Sequence, residues 1–141
     1  MKKINQVSIR LVNERSLLSE EQLTSPEKVA MVVGDYIRDL DREALCVINF
    51  NSKLQPINFN LVSIGAVDTT IATPREILKS AILSNATNTM VLHNHPSNML
   101  EPSKEDVRTT SKLVEICNLI GIPPFLWTTL LLVQRKGGIS A

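Results

Sequence analysis

Residues 44–50, Ala-Leu-Cys-Val-Ile-Asn-Phe, make an apolar run of strand length in the middle of the chain. Such a strand needs cover on both faces, which a sheet flanked by other elements provides. A second run, Thr89-Met90-Val91-Leu92, makes the same demand. The sequence around both supplies helices to meet it. Ser25-Pro26-Glu27 is a helix start with proline pre-set for the first turn. Behind it, Val29, Val32, Val33, Tyr36 and Ile37 recur at spacings of three and four, which predicts one buried face. Thr73-Pro74-Arg75-Glu76 is a capping box, and the helix after it should bury Ile77, Leu78, Ala81 and Ile82. Ser103 opens a third helix carrying Val107, Leu113, Val114, Ile116, Cys117 and Ile120, which Gly121 ends. Alternation over Val7–Val12 predicts a first strand. Asn51-Ser52-Lys53 turns the chain into a strand around Ile57 to Val67, and Leu130 to Val133 is a last apolar strand. The predicted order is β-α-β-β-α-β-α-β, an α/β domain with a single sheet and helices packed on it.

The 141 residues suit one domain with one core, residues 1–141. Fifteen basic against fourteen acidic residues leave a net charge of +1, which gives no electrostatic footprint for nucleic acid. Nucleic-acid contact is thus unsupported by charge rather than ruled out. Apolar runs fall far short of the ~20 residues that span a bilayer, so no membrane partner is expected. Met1-Lys2-Lys3-Ile4-Asn5-Gln6 has charge but no apolar stretch behind it, which argues against a signal peptide and for a cytoplasmic protein. The two cysteines, Cys46 and Cys117, each sit in an apolar segment and read as reduced core residues. Oligomeric state leaves no mark on the sequence.

Chemistry concentrates where the second apolar run ends. The chain has two histidines, His93 and His95, two apart at that strand end. Side chains at i and i+2 of a strand share a face, so both imidazoles can reach one point. Asp106 follows eleven positions after His95, in the first turn of the third helix. Two imidazoles and a carboxylate fill three corners of a tetrahedron and leave the fourth for water, the arrangement of a catalytic Zn2+ site. Such an ion lowers the pKa of that water toward ~7. Each fragment alone also has a plainer explanation. A His-x-His pair can be merely exposed or hydrogen-bonded, and Ser103-Lys104-Glu105-Asp106 is itself a capping box.

The fragments join into a longer pattern: His93-Asn94-His95-Pro96, six residues from Ser97 to Pro102, Ser103, and Asp106. This resembles the JAMM metalloprotease motif of the JAB/MPN fold. The form His-Asn-His-Pro-Ser followed by Pro-Ser-x-x-Asp resembles its bacterial RadC branch. The resemblance runs over roughly residues 5 to 126 and includes Asp41-Arg42-Glu43 and Pro74-Arg75-Glu76. It implies a JAB/MPN-like, cytidine-deaminase-like mixed sheet flanked by helices, with zinc held by His93, His95 and Asp106. It also implies that Glu43 is the general base and that Ser103 donates a hydrogen bond to the developing oxyanion. A carboxylate at the mouth of a buried strand can accept a proton from a water and deliver it to a leaving amine. The implied activity is hydrolysis of a peptide or isopeptide bond in a peptide or protein substrate. The competing expectation is a non-enzymatic zinc-binding interaction module linked to DNA repair or mobile elements.

Two features depart from the family pattern. Full-length RadC-like chains usually begin with a helix-hairpin-helix module, which these 141 residues are not expected to accommodate. The second departure is at residues 127–141. Relatives continue past Gly121-Ile122-Pro123 with an apolar residue, Asp-His and a β-branched strand, whereas this chain reads Trp127-Thr128-Thr129-Leu130-Leu131-Leu132. Codons for Leu-Asp-His-Ile-Ile-Val, read one nucleotide late, translate as Trp-Thr-Thr-Leu-Leu and then Leu or Phe. The tail therefore reads as a frame-shifted version of the family's last strand, with ordinary divergence as the alternative explanation.

Overall fold

A computed structural model describes residues 2–19, 22–40, 42–65, 73–95, 104–123, 130–134 and 139–140. Of these, the side chains of 63–65, 95, 104–110, 130–134 and 139–140 fall outside the description. Of the helix-opening residues read from the sequence, Ser25 and Thr73 cap as expected, and Ser103 lies outside the described residues. The Ser25 hydroxyl accepts from the Lys28 N–H at 3.2 Å, and Pro26 takes the first position of helix α1 (Pro26–Arg38). The Thr73 hydroxyl accepts from the Glu76 N–H at 3.4 Å at the head of α2 (Pro74–Leu83). Helix α3 spans Lys104–Ile120. It ends in a Schellman turn at Gly121, φ +78°, where the Ile122 N–H donates to the Cys117 carbonyl at 2.9 Å. Helix α2 ends the same way, with Asn85 in the left-handed position at φ 52° and the Ala86 N–H donating to the Ala81 carbonyl.

Five strands form one mixed sheet in the order β2-β1-β3-β4-β5. They are β1 (Glu43–Phe50), β2 (Pro56–Gly65), β3 (Asn88–His95), β4 (Leu130–Gln134) and β5 (Ile139–Ser140). Strand β1 is antiparallel to β2 and β3, β3 is parallel to β4, and β4 is antiparallel to β5. The expected α/β domain with a mixed sheet and flanking helices is therefore formed. Strand alternation sorts β1 and β3 onto two cores. Cys46, Ile48, Phe50, Met90 and Leu92 pack against Val29, Ala30, Val33 and Ile37 of α1. On the opposite face, Val47 and Val91 pack against Ile77 and Leu78 of α2 and Leu113 and Cys117 of α3. Both apolar runs are covered on both sides, as their composition required. Cys46 and Cys117 are buried, free and on opposite faces of the sheet. Burial pushes the Cys46 thiol from 9.0 up to about 12 and raises that of Cys117.

Three points of the sequence reading need correction. Val7–Val12 is not a strand: the alternation is real, but Ile9 is 69% and Val12 83% exposed. A lone extended segment with no sheet partner and no core beneath it gains too little to form a ladder. The chain joins the fold further on, where Arg15 lies 5.4 Å from the Tyr36 ring centroid and Leu17 and Leu23 pack on the α1 core. The second correction is a strand that the sequence did not reveal, β5, too short to carry a periodic signal. The predicted Ile82 burial also fails, since that side chain is exposed on the outer side of α2.

Candidate metal centre

Glu43 is the first residue of β1, and Leu45, two residues on, lies opposite His93 of β3. Glu43 and Leu45 share a face by alternation, so the carboxylate reaches the imidazole along the diagonal of the ladder. Glu43 Oε1 is in direct contact with His93 Nε2. Both side chains are largely withdrawn from water, 11% exposed for His93 and 17% for Glu43, and Glu43 Oε2 is buried. Close by, the β1–β2 register breaks between Leu45 and Cys46, where β2 inserts an extra residue, Val62. Bulges of this kind re-aim nearby side chains.

The other expected ligands are placed by their backbone. His95 closes β3, opposite Gln134 of β4. Asp106 is in the first turn of α3, whose later residues Leu113 and Cys117 pack on the sheet face shared by Val91. Both side chains fall outside the description, and Ser103 lies outside the described residues altogether. Among the described residues, no group of three His, Cys, Asp or Glu side chains comes together. The structure thus brings Glu43 and His93 into contact and puts the His95 and Asp106 backbones at the same strand end and on the adjoining helix. The donor chemistry suits zinc: an imidazole nitrogen beside a carboxylate, both shielded from bulk water. The contact also gives His93 a partner within the chain, as the plainer reading of the motif allowed.

Asn94, between the two histidines, was not singled out from the sequence. It is 2% exposed and makes three hydrogen bonds. Its Oδ1 accepts from the Ala44 N–H at 2.5 Å. Its Nδ2 donates to the Ile37 carbonyl at 2.9 Å and the Arg42 carbonyl at 3.0 Å. The signal was available. Met90, Leu92 and Asn94 share one strand face, and an amide continuing an apolar face into the core must find partners.

A family model described as RadC-like JAB domain matches residues 23–125. The chain belongs to the RadC-like JAB family. Among relatives of this RadC-like JAB domain, a UPF0758 protein of Salinibacter ruber is 39% identical over 114 residues, covering 81% of this chain and 49% of its own. One from Caldanaerobacter subterraneus is 41% identical over 100 residues, covering 71% of this chain and 43% of its own. A third, from Streptococcus sanguinis, is 34% identical over 113 residues, with coverages of 80% and 50%. The chain thus spans about half the length of the curated relatives it matches. The RadC-like match stops two residues short of Trp127. Membership supports a hydrolase-like domain. No helix among the described residues is long and apolar enough to cross a membrane.

Proposed function

We propose that this domain is a zinc-dependent hydrolase that cleaves a peptide or isopeptide bond in a peptide or protein substrate. In this reading His93, His95 and Asp106 hold the metal, Glu43 is the general base and Ser103 the oxyanion donor. The observation that carries it is the contact between Glu43 Oε1 and His93 Nε2 at the end of β3. A base has to lie within hydrogen-bond reach of the proton it removes, and this contact puts the carboxylate beside an expected metal ligand.

Zinc bound there would supply a Lewis acid that polarises the carbonyl and an acidified water as nucleophile. The protein's own groups carry the protons. Glu43 accepts one as the water oxygen bonds to the carbonyl carbon, and it returns that proton to the amine nitrogen as the C–N bond breaks. The Ser103 hydroxyl donates to the carbonyl oxygen as negative charge builds on it. The low exposure of Glu43 and His93 strengthens these interactions by keeping bulk water away.

Elemental analysis joined to a peptide-library cleavage assay tests this. The wild-type chain is expected to hold about one zinc and to cleave, and His95→Ala to lose the metal while remaining folded. Glu43→Gln, nearly the same shape but unable to accept the proton, is expected to keep zinc and lose turnover. Full zinc retention in His95→Ala removes the ligand assignment. Near wild-type turnover in Glu43→Gln sends the search for a base to Asp41. A zinc-loaded chain that cleaves nothing favours the interaction-module reading.

A further inference from the structure

We propose that Asn94 is the positioning residue for Glu43, tying the proposed base to the strand that carries both histidines. The inference rests on the reading of Glu43 as the base, and it adds a residue to which that reading gives no role.

Three observations converge on it. The backbone ladder between β1 and β3 begins at Leu45 opposite His93, so among the described residues the ladder stops short of Glu43. The Asn94 carboxamide takes over there. It accepts from the Ala44 N–H and donates to the Arg42 carbonyl, so it holds the backbone on both sides of Glu43. A carboxamide offers the same donor and acceptor as a peptide unit, and here it substitutes for one more rung of the ladder. The second Nδ2 hydrogen donates to the Ile37 carbonyl in the last turn of α1, which anchors the amide from a third side. Both donors and one acceptor site are thus occupied, which leaves the side chain one orientation. Since Asn94 is covalently between His93 and His95, the position of Glu43 is set relative to both.

Aspartate cannot replace it. It keeps the acceptor for Ala44 but offers no hydrogen to the Ile37 and Arg42 carbonyls, and a buried carboxylate facing two carbonyl oxygens is strongly disfavoured. Serine is shorter and can satisfy only part of the set. Both changes should let Glu43 move away from His93 with the sheet still formed.

Nuclear magnetic resonance on the metal-free full chain gives a readout independent of turnover. With two histidines in the sequence, ring protons are readily assigned. The wild type is expected to show a nuclear Overhauser contact between the His93 ring and the Glu43 side chain, and slow exchange of the Ala44 amide. Asn94→Ser and Asn94→Asp are expected to lose both, with Ala44 exchange at least ten times faster. Thr89→Val is the control for general loosening. Its hydroxyl donates to the Ile48 carbonyl at 3.1 Å, buried in β3 far from the histidines, and its removal should leave both signals intact. If hydrolysis is found, zinc-loaded Asn94→Ser should lose about 10–100-fold in kcat at little-changed KM. Retention of the Glu43–His93 contact in a folded Asn94→Ser overturns the proposal, as does its loss in Thr89→Val. Should Asn94→Asp fail to fold, Asn94→Ser decides alone. Absence of hydrolysis in the wild type would count against the enzyme reading without touching the contact test.

Discussion

Raising the pH should destabilise this fold through Cys46, and the size of the effect follows from its burial. The thiol is fully enclosed among α1, β1 and β3, which pushes its pKa from 9.0 up to about 12. Between these values the unfolded chain gives up its thiol proton and the native chain keeps it. The unfolded state then binds fewer protons, so stability falls as pH rises. The contribution is fully present below pH 9, declines up to about pH 12, and flattens above that as the native thiol also ionises. The slope approaches about 1.4 kcal/mol per pH unit, and one unit above the unfolded value the accumulated loss is also about 1.4 kcal/mol. Urea unfolding at pH 8 and pH 10 measures it, where a loss of that size moves the midpoint by roughly 0.5–1.4 M. Cys46→Ala supplies the comparison. Its cavity costs something at both pH values and cancels, and every other side chain is common to the two proteins. The variant's decline between pH 8 and 10 should be smaller than that of the wild type by about 1.4 kcal/mol. Equal declines would refute the assignment of a buried, protonated Cys46.

Two further outcomes follow from the same structure. Asn49, fully buried in β1, donates to Asn58 Oδ1 at 2.7 Å and Ser80 Oγ at 3.0 Å, so Asn49→Ala leaves one buried and one half-buried acceptor unmet. It should cost about 1–3 kcal/mol by denaturation with zinc stoichiometry unchanged, because this network is at the opposite end of β1 from Glu43; metal loss would show that the sheet transmits more than expected. For the tail, the encoding DNA should contain in the neighbouring frame an Asp-His, a β-branched run and a glycine-rich turn, and a frame full of stops ends the idea. Restoring that frame, with Leu130→Ile, Leu131→Ile and Leu132→Val among its changes, should raise Tm by the equivalent of about 1–3 kcal/mol; an unchanged or lower Tm would mark the present tail as the adapted one.

The parts legible in the sequence were those governed by local chemistry. Ser25, Thr73 and Gly121 each satisfy orphan backbone groups within a turn of themselves, so their meaning needs no knowledge of the rest of the chain. The apolar runs of β1 and β3 likewise state their own burial. Val7–Val12 shows the limit. Alternation says which face a strand would bury, and it is silent on whether a sheet edge is there to receive it. The site divides in the same way. Spacing placed His93 and His95 at one strand end and Asp106 in the first turn of α3, but the Glu43–His93 contact depends on the register between strands fifty residues apart.

That register also explains why Asn94 carries more than its place in the motif suggests. Strand β3 presents Val91 and His93 to α2 and α3, and Met90, Leu92 and Asn94 to α1. A side chain on the α1 face therefore sits directly behind the histidines while bonding the last turn of α1 and the start of β1. The Ile37 carbonyl that receives its Nδ2 hydrogen belongs to a residue fully buried in the α1 core. Packing around Ile37 and the orientation of Glu43 are thus joined through one amide. The α1 face, which contains no expected ligand, is thereby part of what aims the proposed base.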